Sequence, residues 1–172
     1  MKIICMLLVV FGFPGICHAQ TLHCSNPVYR QFDFWVGEWE AYGKNGKKAG
    51  DSRISIILDS CIVLEEWTSL AAKGQSPYSG KSFNTYNAAT NQWQQTWVDN
   101  AGGSNEYLQG KYEHNSIVFI TTPFPYSNDT IAIRRLSFFD LNKDKVRQFG
   151  EISKDNGTTW VTEYDLEYRR KK

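Results

Sequence analysis

Three side chains of this sequence could share proton-transfer chemistry if a fold brought them together: Glu66, Tyr86 and Arg147. A carboxylate can take a proton, a phenol can return one, and a guanidinium can hold developing negative charge. A larger set follows from the period of an extended chain, in which residues two apart share a face. Ser82, Asn84 and Tyr86 share one face of their segment, and Trp93, Gln95, Trp97 and Asp99 share one face of the next. Arg147, Phe149 and Glu151 align later, as do Arg135 and Ser137. A plain core would be Val, Ile and Leu; these faces are Trp, Tyr, Asn, Gln, Arg and Glu. Asn84, Tyr86, Gln95, Trp97, Arg135, Arg147 and Glu151 are therefore the expected lining of a pocket for a small hydrophobic or amphipathic ligand. The competing reading turns the same faces to solvent.

Other chemistries lack their residues. Glu65 and Glu66 are adjacent, so a strand points them to opposite faces and they cannot act as a pair; one is expected inside, paired to Arg135 or Arg147. A glycosidase needs two carboxylates roughly 5–10 Å apart; Asp99 with Glu66 or Glu151 could qualify, but nothing in their spacing points to it. The chain has three histidines, His18, His23 and His114. None belongs to a metal-ligand spacing, so neither a metal nor a cofactor is expected. No phosphate-binding glycine loop or nucleophile elbow is present.

The elements that must position these residues read as strands. Runs of alternating polarity cover Glu38–Gly43, Arg53–Leu58, Cys61–Ser69, Ser79–Asn87, Gln92–Val98, Asn105–Tyr112, Ser116–Thr122, Thr130–Leu141, Val146–Ser153 and Thr158–Arg169. Short turn segments separate them, among them Lys44-Asn45-Gly46-Lys47, where Asn-Gly is a strong hairpin signal. Short links between successive strands make a meander. A meander of this length disposes of its edges best by closing into an up-and-down barrel of about eight to ten strands, with a sandwich as runner-up. A short helical turn is expected from Pro27 to about Phe34, capped by Ser25 or Asn26.

The segment Phe32-Asp33-Phe34-Trp35-Val36-Gly37-Glu38-Trp39 resembles the opening of a group of bacterial exported proteins that look like members of the calycin superfamily. The resemblance continues through Cys61–Trp67, Trp93–Asp99, Arg147-Gln148 and the Ser153–Trp160 hairpin. It implies a closed antiparallel barrel and no agreed activity. Gly37-x-Trp39 is also similar to the first-strand signature of lipocalins. That likeness implies a Trp39 floor at the closed end, covered by a late cation, Arg169 or Arg170, of which Arg169 is taken with Trp39 as the floor pair. Nitrobindin-like barrels hold haem through a histidine on a late strand, and no histidine follows His114 here. Ser153-Lys154-Asp155-Asn156-Gly157-Thr158-Thr159-Trp160 matches the Asp-box pattern of propellers. A propeller needs several copies, so the single copy is expected to be a rigid hairpin.

The start of the chain bounds location. Met1-Lys2, the apolar run Ile3–Phe13, Pro14-Gly15 and Cys17-His18-Ala19 form a signal-peptide pattern over residues 1–19, with a domain over 20–172. The apolar run is too short to span roughly 30 Å of hydrocarbon, so no membrane span is expected. Cys5 and Cys17 lie in that segment; lipid attachment at Cys17 is disfavoured by Ile16 before it. Cys24 and Cys61 remain, and two cysteines in an exported chain are expected to pair, the alternative being two separate thiols. A formal charge of +1, zero without Lys2, gives no footprint for nucleic acid. Asn128-Asp129-Thr130 and Asn156-Gly157-Thr158 fit the glycosylation pattern, relevant only in a eukaryotic secretory route. The sequence thus points to an exported, periplasmic or secreted, small-molecule binding barrel. Its alternatives are a barrel enzyme using Glu66, Tyr86 and Arg147, and a filled structural barrel.

Overall fold

A computed structural model describes residues 24–127 and 129–172. The residue 1–19 segment, His23 and Asn128 lie outside the described residues. The chain enters through two short 3-10 turns, Pro27–Arg30 and Asp33–Trp35. The Asn26 side chain caps the first by accepting from Val28 N–H, and Pro27 sits at its start. The expected helical piece is therefore present, wound as two 3-10 turns.

Eleven strands follow: β1 (Gly37–Gly43), β2 (Lys48–Ile57), β3 (Ile62–Ser69), β4 (Ser79–Asn87), β5 (Gln92–Asp99), β6 (Ser104–Glu113), β7 (Ser116–Ile120), β8 (Phe124–Ser127), β9 (Thr130–Asn142), β10 (Lys145–Ser153) and β11 (Val161–Arg170). Each pairs antiparallel with its neighbour in the order β10-β11-β1-β2-β3-β4-β5-β6-β7-β9-β8, and β10 also pairs with β9. That last pairing closes ten strands into an up-and-down barrel, which excludes the sandwich. The extra strand β8 continues the line of β7. Ile120 pairs with Arg135 and Phe124 with Ala132, both along β9. Thr121 to Pro123 interrupts the pairing between them, a break to which Pro123 contributes by lacking an N–H.

The closed end is plugged by the entering turns. Phe32 and Trp35 are fully buried. The Phe32 ring meets Trp35 at 5.1 Å, Trp93 at 5.8 Å, Phe119 at 6.0 Å and Phe138 at 5.0 Å between centroids, mostly edge-on or tilted. Trp93 Nε1 donates to Gln31 Oε1 (3.0 Å), and Trp39 Nε1 donates to the Trp35 carbonyl (2.8 Å). Cys24 is bonded to Cys61, as two cysteines in this setting predict, and the bond ties the plug to the β2–β3 turn. In that turn Leu58, Asp59 and Ser60 all take positive φ (50°, 51° and 72°). Non-glycine residues resist that conformation. The bonded Cys61 and an Arg30 guanidinium donating to the Ser60 carbonyl hold it.

Trp39 forms the floor, but its cation is Arg170, not Arg169. The Arg170 guanidinium lies 4.1 Å from the Trp39 ring and donates to the carbonyls of Val36 (3.0 Å) and Lys143 (2.8 Å). Arg169 is one residue out of phase, on the outside, over Tyr42 and paired with Glu167. Gly37 explains the opening motif. It has φ +140°, and a Cβ there would stand 2.1 Å from Arg170 Nη1. The Asp-box segment is the rigid hairpin expected. Ser153 Oγ donates to Asp155, Asp155 accepts from Thr159 N–H and hydroxyl, Gly157 has φ +85°, and Trp160 Nε1 donates to the Gly157 carbonyl.

Candidate functional site

The half of the barrel away from the plug is open. A cavity of about 360 Å³ runs from the mouth to the middle of the lumen. Its base is a buried polar layer. Val63, Glu65 and Trp67 point inward from β3, as do Ser82 and Asn84 from β4 and Ser52 from β2. Glu65 is 2% exposed. Its Oε1 accepts from Ser52 Oγ at 2.9 Å, and its Oε2 accepts from Ser82 Oγ at 3.1 Å. Asn84 donates to Ser82 Oγ and to the Val63 carbonyl, and Gln95 donates to Asn84 Oδ1 at 2.7 Å.

The Tyr168 hydroxyl stands 3.2 Å from Glu65 Oε1 and 2.8 Å from Gln148 Oε1. One hydroxyl hydrogen serves only one acceptor. A proton on Glu65 lets both bonds form: Glu65 donates to Tyr168, and Tyr168 donates to Gln148. The electrostatics agree. Burial pushes the Glu65 carboxyl up to about 7, against the opposing pull of its hydroxyl donors. Burial likewise drives the Tyr168 phenol far above its ordinary range and raises Tyr107 to about 12.

The walls above this layer are aromatic, and the sequence positions them through glycine. A Cβ on Gly80 would stand 2.2 Å from Trp97 Cζ2; one on Gly50 would stand 2.7 Å from Trp67 Cζ2; one on Gly150 would stand 2.4 Å from Tyr164 Cζ. Each ring therefore takes the space that a side chain in place of a neighbouring-strand glycine would fill, and each lines the cavity. At the mouth, Arg134 carries a forked pair to Glu163, with Nε at 2.9 and 3.1 Å and Nη2 at 3.1 Å, and its Nη1 donates to Asn105 Oδ1 at 2.9 Å.

The expected lining is divided. Gln95 and Trp97 line the cavity, and Asn84 lies buried beneath Gln95. Tyr86 is at the plugged end, where it packs on Tyr29 and Trp93 and donates to Asn91. Arg135, Arg147 and Glu151 are on the outer wall. Arg135 pairs with Glu151 at 2.8 Å and stacks on Trp160 at 4.1 Å. Arg147 pairs with Asp165 at 2.7 Å and stacks on Phe149. Glu66 is also outside, paired with Lys81 at 2.8 Å. Glu66, Tyr86 and Arg147 therefore do not converge. At Glu66, Arg135 and Arg147 the error is one of phase, the inward residues being the neighbours Glu65, Arg134 and Gln148; at Tyr86 it is one of position along the barrel.

The sequence did hold a signal for the true frame. Gly50-x-Ser52 and Gly80-x-Ser82-x-Asn84 place small residues in phase on two neighbouring strands, as a narrow lumen with large rings across the way requires. No protein-family model matches this chain, and no curated protein matches it.

Proposed function

We propose that this chain is an exported, calycin-like barrel that binds a small amphipathic molecule in its lumen. The observation that carries the reading is the cavity of about 360 Å³, with aromatic walls over a layer of polar side chains. Small-molecule sites have this size and this mixture of apolar walls with a few convergent polar groups. The open mouth half counts against a filled structural barrel. The Cys24–Cys61 bond supports an oxidising compartment, in keeping with the pattern of residues 1–19. Among the described residues, no helix is long and apolar enough to cross a membrane.

Native mass spectrometry of the protein purified from its own host tests the reading. A bound mass of a few hundred daltons, released when Trp97→Ala removes one wall, is the expected result. A bare chain whose tryptophan fluorescence responds to no small amphipathic probe would refute it.

One observation favours a second reading as an acid/base enzyme. Glu65, with its carboxyl near neutrality, touches the Tyr168 hydroxyl at the base of the same cavity. That is a proton acceptor and a proton donor side by side. Under this reading Glu65→Gln keeps ligand affinity and abolishes turnover of the ligand once it is identified.

A further inference from the structure

We propose that the ligand is a compact organic cation with an apolar body, a protonated amine or a quaternary ammonium, with Glu65 as its counter-ion and the Trp67 and Trp97 indoles as the faces it lies against. This rests on the luminal-binding reading and adds the ligand's charge to it.

The charges facing the cavity carry the inference. Three of its lining residues bear a formal charge: Glu65, Arg134 and Glu163. Arg134 and Glu163 neutralise one another at the mouth, and Nε, Nη1 and Nη2 of the guanidinium all donate to protein oxygens. Nothing cationic is left over to receive an anion. Glu65 is the opposite case. It takes part in no ion pair among the described residues; it accepts from the hydroxyls of Ser52 and Ser82 and touches that of Tyr168. A buried carboxylate without a counter-charge is unfavourable when ionised. A ligand carboxylate would add a second negative charge in the same low-dielectric space. A neutral ligand leaves Glu65 protonated. A cation supplies the missing partner.

The walls favour the same ligand. Trp67 and Trp97 line the cavity together with Glu65, and a ring face carries the negative end of the aromatic quadrupole. At the rim, Asp99 accepts from the Tyr78 hydroxyl (2.9 Å) and from Trp97 Nε1 (3.2 Å), and the Gly103 and Ala101 N–H groups help hold its carboxyl below the usual range. The tryptophan wall thus ends in an ionised carboxylate.

The pairing makes binding pH-dependent. Facing Glu65 are Ser52 from β2, Ser82 from β4, and Tyr168 from β11, with Tyr107, Tyr164 and the Arg134–Glu163 pair further up the cavity. The tyrosines stay neutral and Arg134 stays charged well above neutrality. Glu65 therefore carries the titration. Below its value of about 7 a cation must displace its proton, so cation affinity rises about tenfold per pH unit and then levels off.

The test is a tryptophan-fluorescence titration of the intact protein with benzylamine, benzyl alcohol and benzoate, which share a ring and differ in charge. At pH 8 benzylamine is expected to bind about tenfold tighter than benzyl alcohol, with benzoate weakest. At pH 6 the amine advantage falls about tenfold while the alcohol is unchanged. Glu65→Gln removes the amine preference and leaves alcohol affinity within about twofold. The wild-type pH series stands by itself if the variant folds poorly. Tightest binding of benzoate, an amine preference below about twofold at pH 8, or a preference that survives Glu65→Gln would overturn the cation assignment alone. If none of the three binds at millimolar concentration, luminal binding itself is overturned with it.

Discussion

The two halves of the barrel interior use the same aromatic residue types, yet one half is solid and the other open. At the plugged end, Phe32 stacks on Trp35, and the other contacts among Phe32, Trp35, Phe119 and Phe138 are edge-to-face or tilted, at centroid distances of 4.4–6.2 Å. Rings packed in that way fill space in three dimensions. At the mouth, Trp67, Trp97 and Tyr164 are laid over Gly50, Gly80 and Gly150, so their bulk goes into the wall. Ring orientation, set by the residue across the strand, decides between core and cavity.

The largest expected effect lies in the solid half. Phe32→Ala removes a ring that touches five others and should cost about 3–5 kcal/mol. Trp67→Leu, which opens onto space already present, should cost only about 1–2 kcal/mol. Urea denaturation of the two variants measures the difference, and equal losses would mean that the two halves are packed alike.

The polar layer between the halves should show itself in pH. The Glu65 carboxyl is raised from 4.5 to about 7, so the folded chain binds its proton more tightly than the unfolded chain does. Its stabilising contribution is full below about pH 4.5, falls between 4.5 and 7, and is gone above. The swing is about 3 kcal/mol for a fully buried group. Subtracting a Glu65→Gln stability profile from the wild-type profile isolates it. A difference that is flat from pH 4.5 to 8 would show that the carboxyl is not held in a low-dielectric layer.

Filling the glycine gap should blur the contrast between the halves. Gly80→Ala places a methyl where Trp97 now lies, which pushes the indole toward the lumen at a cost of about 2 kcal/mol. The cavity should shrink in a crystal structure of the variant, and Trp97 emission should shift. A neutral substitution with unchanged emission would show that the wall glycines are incidental.

The smallest effect separates two neighbouring arginines. Arg170→Ala loses the stack on Trp39 and two bonds to carbonyls, about 1–2 kcal/mol. Arg169→Ala, on the outer surface, should stay within about 0.5 kcal/mol. Thermal melts of both variants compare the floor with the outer wall directly.

Most of the scaffold was legible in the residues. Turn chemistry at Asn45-Gly46, His114-Asn115 and the Ser153–Trp160 hairpin marks strand ends locally, because left-handed backbone and side-chain-to-turn bonds need particular residues. Two strand limits were missed for local reasons as well. Lys48 to Ser52 looks too polar to be a strand, since its inward residues are Gly50 and Ser52. Phe124–Ser127 contains Pro125, which argues against pairing from sequence alone.

The candidate site was only half legible, and phase is the reason. A period of two yields two faces per strand without saying which is inside, and the choice was hard where both faces carry like residues. Glu65 and Glu66, Arg134 and Arg135, Arg147 and Gln148, and Arg169 and Arg170 are such pairs. In each, one member is luminal or at the floor and the other is an outer-wall ion pair. The sequence by itself determined the strand meander, the short entering turn and a polar-aromatic inventory, because these depend on local pattern and composition. Only the tertiary structure decided which charges face inward, because barrel closure selects one frame for all the strands together. The same closure left Glu65 in the lumen without a counter-ion.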